Sequence, residues 1–111
     1  MKILFKRIIK NKRYRKYYLN VDYDLHNYLF EFRHITGVNY IDAGYYSTIN
    51  GTHGYVYYLY SHNLYEYLAI KTLLKILKEE LTVETILLSH DIDHQNQITA
   101  RLGREIKKCT K

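Results

Sequence analysis

The stretch His53-Gly54-Tyr55-Val56-Tyr57-Tyr58-Leu59-Tyr60 reads as a β-strand that carries a rank of tyrosines. Just upstream stands Asn50-Gly51, a strong two-residue hairpin signal, because a type I′ turn needs positive φ at both positions. The reading therefore pairs a strand over Thr52 to Tyr60 with one over Val38 to Ile49, in which Gly44 is a candidate bulge. Side chains alternate between the faces of a strand, so the tyrosines must divide between a core side and an outer side. A tyrosine ring suits either, since it has an apolar body, a stacking face and a polar tip.

Working outward, Tyr17, Leu19 and Val21 alternate with Lys16, Tyr18, Asn20 and Asp22, the pattern of a half-buried strand. Asp22 or Asp24 then suits a helix N-cap, since a carboxylate accepts from the free backbone N–H groups of the first turn. Leu25, Tyr28, Leu29, Phe32 and Ile35 form an apolar stripe, and Gly37 ends it. Downstream, Asn63 with Glu66 resembles a capping box. It opens a long stripe of Tyr67, Ile70, Leu73, Leu74, Leu77 and Leu81, with Lys71, Lys75 and Lys78 on the outer side. Val83 to Leu88 reads as a fourth strand, and Ile98, Leu102 and Ile106 mark a last helix, weakened by Gly103. At the other end, Met1, Leu4, Phe5, Ile8 and Ile9 recur at helical spacing among lysines and arginines. A short basic amphipathic helix fits that spacing, with a strand or an ordered arm as alternatives.

This order predicts an α+β, ferredoxin-like βαββαβ fold: a four-stranded antiparallel sheet with helices 24–35 and 64–81 on one face. The chain of 111 residues suits one domain. Residues 1–12 would be a basic arm or short helix, 13–92 the core and 93–111 an extra C-terminal helix.

Composition bounds the partners. The formal net charge is +6, and it is unevenly placed. No acid occurs from Met1 to Val21, where Lys2, Lys6, Arg7, Lys10, Lys12, Arg13, Arg15 and Lys16 are all basic. Concentrated basic charge is the usual electrostatic footprint of phosphate binding, with a solubilising tail as the simpler explanation. The single cysteine, Cys109, cannot form an internal disulfide, and Lys6 and Arg7 interrupt any signal-peptide core. No stretch is long enough to span a membrane. These features point to a cytoplasm, a host cytoplasm if the protein is viral. The absence of proline and the abundance of Tyr, Ile, Lys and Asn are common in small virus- or plasmid-encoded proteins.

Within that fold class, the chain resembles the RNA-recognition motif over roughly Arg13 to Asp91. That family's third strand reads basic–Gly–aromatic–small–aromatic–aliphatic–any–aromatic. Here Gly54 and the aromatics Tyr55, Tyr57 and Tyr60 fall in place, while His53, Val56 and Tyr58 depart from the pattern. The resemblance implies that Tyr55 and Tyr57, with Tyr18 on the first strand, face outward and stack bases. Val56, Tyr58 and Tyr60 would then point into the core. The competing reading packs Tyr18, Tyr55 and Tyr57 under another element or into a homodimer interface.

A second constellation is Ser89-His90-Asp91-Ile92-Asp93-His94. In the expected topology it lies at the sheet end that holds His62, Arg13, Arg15 and Lys16, with His34 on the same side. Imidazoles beside guanidinium groups suit acid–base cleavage of a phosphodiester, so His62, His90 and His94 are catalytic candidates. His90, Asp91, Asp93 and His94 also form a candidate metal set. Solvated histidines and an N-cap at Asp93 explain the same residues without chemistry. Asp22, Asp24 and His26 fall at the opposite end. No phosphate loop, nucleophile elbow or CxxC pair is present, so no cofactor is expected.

The leading expectation is a small non-catalytic protein that binds RNA or single-stranded DNA. Arg13, Arg15 and Lys16 would meet phosphates, and Tyr18, Tyr55 and Tyr57 would meet bases. The alternatives are an interaction protein of a virus or mobile element that occupies a host enzyme's nucleic-acid channel, and a small nuclease.

Overall fold

A computed structural model of the chain describes residues 3–47, 53–80 and 92–107, with side chains described for all of these except 46–47, 53, 80 and 92–96. The elements are β1 (Ile3–Lys10), β2 (Arg15–Val21), α1 (His26–Thr36), β3 (Asn39–Ser47), β4 (His53–Ser61), α2 (Leu64–Glu80) and α3 (Ile92–Lys107). The strands form one antiparallel sheet in the order β1-β2-β4-β3.

The two central strands set the core. Tyr17 pairs with Leu59, Leu19 with Tyr57 and Val21 with Tyr55. Side chains directly opposite on one face are near neighbours, so these rows make a continuous apolar surface. Leu25, Leu29 and Phe32 of α1 pack on it, with Ile70, Leu73 and Leu77 of α2 and Ile98, Leu102 and Ile106 of α3. Each fully buried aliphatic or phenyl side chain here contributes about 1.5–3 kcal/mol. The three described helices contact one another, so they form one layer. The shortest dimension of the molecule is 18 Å, room for one sheet and one helical layer. Among the described residues, the other face of the sheet carries no helix.

Local chemistry fixes the helix ends. The Asp24 carboxylate accepts from the backbone N–H of His26 at 2.9 Å, one residue before the N-cap position held by Leu25. Gly37 closes α1 in the left-handed conformation and donates its N–H to the Arg33 carbonyl at 2.8 Å. At the start of α2 the Asn63 side chain accepts from the Glu66 N–H at 2.8 Å, and the Glu66 carboxylate accepts from the His62 N–H at 2.9 Å. Gly44 (φ 85°) stands where the β3–β4 register shifts, as expected of a bulge, and its N–H donates to the Asp42 carboxylate at 2.9 Å.

Two expectations need correction. Of the alternatives for the N-terminal residues the strand holds, not the helix or the arm: Ile3–Lys10 is an edge strand paired along β2. Ile3 and Phe5 pack against the core, and the Phe5 ring stacks on Tyr17 at 5.1 Å. A register shift between Arg7 and Ile9 breaks the two-residue period, which produces the false helical spacing in the sequence. The ferredoxin-like strand order is not found either, because β1 holds the edge place beside β2. The expected strand Val83 to Leu88 lies outside the described residues. No helix among the described residues is long and apolar enough to cross a membrane.

Candidate nucleic-acid interface

The tyrosine rank of β4 faces the opposite way from the sequence expectation. Tyr57, assigned outward by resemblance, is 0 % exposed and lies in the core. Its hydroxyl accepts from the Leu25 N–H at 2.8 Å and donates to the Asp24 carboxylate at 3.0 Å. The buried polar tip is thus fully used at the start of α1, and burial pushes its pKa well above the ordinary tyrosine value. Tyr55 faces the same way, half-buried against the core, with its ring 5.0 Å from that of Tyr45. Alternation then turns Val56, Tyr58 and Tyr60 to the outer face, where they were not expected. The cause is the partner strand: Leu19 and Val21 lie opposite Tyr57 and Tyr55, so burying those aliphatics buries these rings. Tyr18 is on the outer face as expected, but at 9 % exposure it offers little ring surface.

Cross-strand rows define the outer face. One row runs Lys6, Tyr18, Tyr58, Ile41, and the next runs Ile9, Lys16, Tyr60, Asn39. None of these eight residues is acidic. Tyr18 and Tyr58 meet edge to face at 5.9 Å, and Tyr60 meets Tyr14 of the β1–β2 turn at 5.7 Å. The Lys16 ammonium lies 4.5 Å from the Tyr58 ring centre and 5.5 Å from that of Tyr60, and Lys6 sits 5.7 Å from Tyr18. Each contact places a cation against a ring quadrupole. The arrangement couples a stacking surface for a planar base to a positive charge for its phosphate.

At the end of the sheet, between the β1–β2 turn and the start of α2, a cleft of about 290 Å³ is lined by Lys12, Arg13, Tyr14, Arg15, Ser61 and His62. Arg15 pairs with Ser61 across the strands, which brings Arg13 and Arg15 to the same end of the sheet as His62. The His62 Nδ1 lies 3.0 Å from the Glu66 carboxylate. His34 is exposed in the last turn of α1. His90 and Asp91, and the side chains of Asp93 and His94, lie outside what is described. Among the described residues no group of three or more His, Cys, Asp or Glu is placed to hold a metal. At the far end, Asp24 is occupied by His26 and Tyr57, and His26 Nδ1 stands 3.5 Å from the Asp42 carboxylate.

The structure thus sets Arg13 and Arg15 at the cleft and Lys16 on the outer face, where Tyr58 and Tyr60 stand instead of Tyr55 and Tyr57. A signal for the replacement was present. Leu59 shares its parity with Tyr55 and Tyr57, and a lone leucine in a tyrosine rank marks the core side more reliably than a family motif. Comparison with protein-family models, with curated proteins and with solved structures finds no match for this chain.

Proposed function

We propose that the protein binds single-stranded nucleic acid, RNA or DNA, across the outer face of its sheet. The observation that carries this reading is the placement of Lys16 over both Tyr58 and Tyr60, two partly buried rings on a face whose central rows hold no acid. Bases would stack on Tyr58 and Tyr60, and Lys6 and Lys16 would meet phosphates. Duplex is disfavoured because base faces are available for stacking only when unpaired.

Short random RNA and DNA oligonucleotides, titrated at several salt concentrations, test the reading. Binding should weaken as salt rises, and Tyr58→Ala or Tyr60→Ala should each remove about 1–3 kcal/mol. A folded protein that binds neither at low salt would defeat it.

A protein partner is the second reading, and one observation favours it. Leu4, Ile8 and Ile9 on one edge strand and Ile41 on the other are exposed and flank the aromatic rows. Aromatic rings with aliphatic flanks and few acids also suit a protein interface. On that reading the protein of a virus or mobile element would occupy a host enzyme's nucleic-acid channel, and it would bind no oligonucleotide.

A further inference from the structure

We infer that the cleft between the β1–β2 turn and the start of α2 is a phosphate-binding site that anchors one end of the bound strand. This rests on the proposed nucleic-acid reading and adds to it a second, separable contact.

The cleft is built rather than incidental. The Asn11 side chain accepts from the backbone N–H groups of Arg13 and Tyr14, both at 2.8 Å, and the Asn11 N–H donates to the Tyr14 carbonyl at 3.0 Å. Three hydrogen bonds thus fix a turn of four residues and hold Lys12 and Arg13 at the rim. Arg15 approaches from β2, and Ser61, His62 and Asn63 form the opposite wall. Among the described residues Lys12, Arg13 and Arg15 form no ion pair. The nearby carboxylate, Glu66, is held by the backbone N–H and the Nδ1 of His62. Three cations therefore line a space in which, among the described residues, no free carboxylate competes for them.

The chemistry favours phosphate. Two guanidinium groups present planar forks that match phosphate oxygens, and lysine adds a point charge. Tyr14 then joins the cleft to the sheet face, since its ring lines the cleft and lies 5.7 Å from Tyr60. A phosphate held by Arg13 and Arg15 would set the adjoining base at Tyr14 and Tyr60. The phosphate could be a terminal monoester or an internal diester of the strand, which share this recognition chemistry.

The full chain is titrated with inorganic phosphate while backbone amide resonances are followed by NMR. Shifts should concentrate at residues 11–15 and 61–64. Oligonucleotides of one sequence are then compared with a 5′-phosphate, a 3′-phosphate or hydroxyl ends. Tighter binding of one phosphorylated form assigns a terminal monoester, and equal binding of all three, with inorganic phosphate competing, assigns an internal diester. Arg13→Ala/Arg15→Ala should weaken phosphate binding at least about tenfold, as loss of charge-assisted hydrogen bonds requires. Lys12→Ala/Arg13→Ala, confined to the turn, repeats the test without altering a central strand, and near-UV circular dichroism confirms both folds. Phosphate that shifts no resonance of the cleft, or binds the folded double variants unchanged, overturns the site. If phosphate binds the cleft while no oligonucleotide binds, the site stands and the nucleic-acid reading falls. If oligonucleotides bind and phosphate does not, the reverse holds.

Discussion

Tyr57 and Tyr58 are neighbours with opposite duties. The Tyr57 hydroxyl accepts from the buried Leu25 N–H and donates to the Asp24 carboxylate at the surface. Tyr57→Phe strands the buried Leu25 N–H at little change in volume, so urea melts should show a loss of about 1–3 kcal/mol. Tyr58→Ala should change stability far less and act on binding instead. A silent Tyr57→Phe beside an unfolded Tyr58→Ala would reverse the faces. Burial also ties the molecule to the high-pH range. Tyr57 and Tyr28 hold their protons above the ordinary tyrosine value of about 10, chiefly because burial disfavours the phenolate. Above that pH the unfolded chain releases protons that the native state keeps, so stability is full below it and falls as pH rises further. Urea midpoints measured from pH 8 upward should fall beyond pH about 10, and less steeply in Tyr57→Phe. A flat profile would mean that neither hydroxyl is buried as described. The sequence left this duty unreadable because tyrosine is amphipathic. With rings at 55, 57, 58 and 60, residue type alone does not say which parity faces the core, and only Leu59 and the partners Leu19 and Val21 decide it.

The strands and helices were more legible than the faces. Apolar stripes at helical spacing, Asn63 with Glu66 and the C-terminal glycine placed α1 and α2 nearly where they stand, because those signals are local. β1 was hidden by two physical causes. As an edge strand it carries Lys6, Arg7 and Lys10, which guard against pairing with other chains and dilute the alternation. Its register shift then breaks the period that remains. The pairing of β2 with β4 gives Gly54 a packing role between the two central strands. A Cβ at Gly54 would stand 2.6 Å from the Val21 carbonyl oxygen and 2.9 Å from Asn20 Nδ2. The Asn20 amide donates to the Tyr55 carbonyl at 3.2 Å, so the crowded side chain is itself committed. Gly54→Ala should force backbone movement between the two central strands and cost about 1–3 kcal/mol. Thermal melts check it, and an unchanged midpoint would show that the strands part at no cost.

At the scale of the whole molecule, the basic N-terminal sequence becomes one hairpin, and that hairpin puts its cations in two places. Lys6 and Lys16 lie on the outer sheet face beside the rings, and Lys12, Arg13 and Arg15 gather at its end. An arm would have spread the same charge along a solvated chain. The geometry separates two contributions that a net charge of +6 alone would merge. Each phosphate contact releases counterions, so removing one should flatten the dependence of log K on log salt by about 0.7 for a single strand. Arg13→Ala/Arg15→Ala should therefore flatten it by about 0.7, since both arginines meet the one phosphate of the cleft. Tyr58→Ala removes a ring and no charge, so affinity should fall at every salt concentration with the slope unchanged. Lys16→Ala should do both, since its ammonium stands against Tyr58 and Tyr60 while meeting a phosphate. Oligonucleotide affinities of these variants, measured across a salt series, check all three expectations together. A slope that moves with Tyr58 and stays fixed with the arginines would place the phosphates over the sheet and leave the cleft outside the path of the strand.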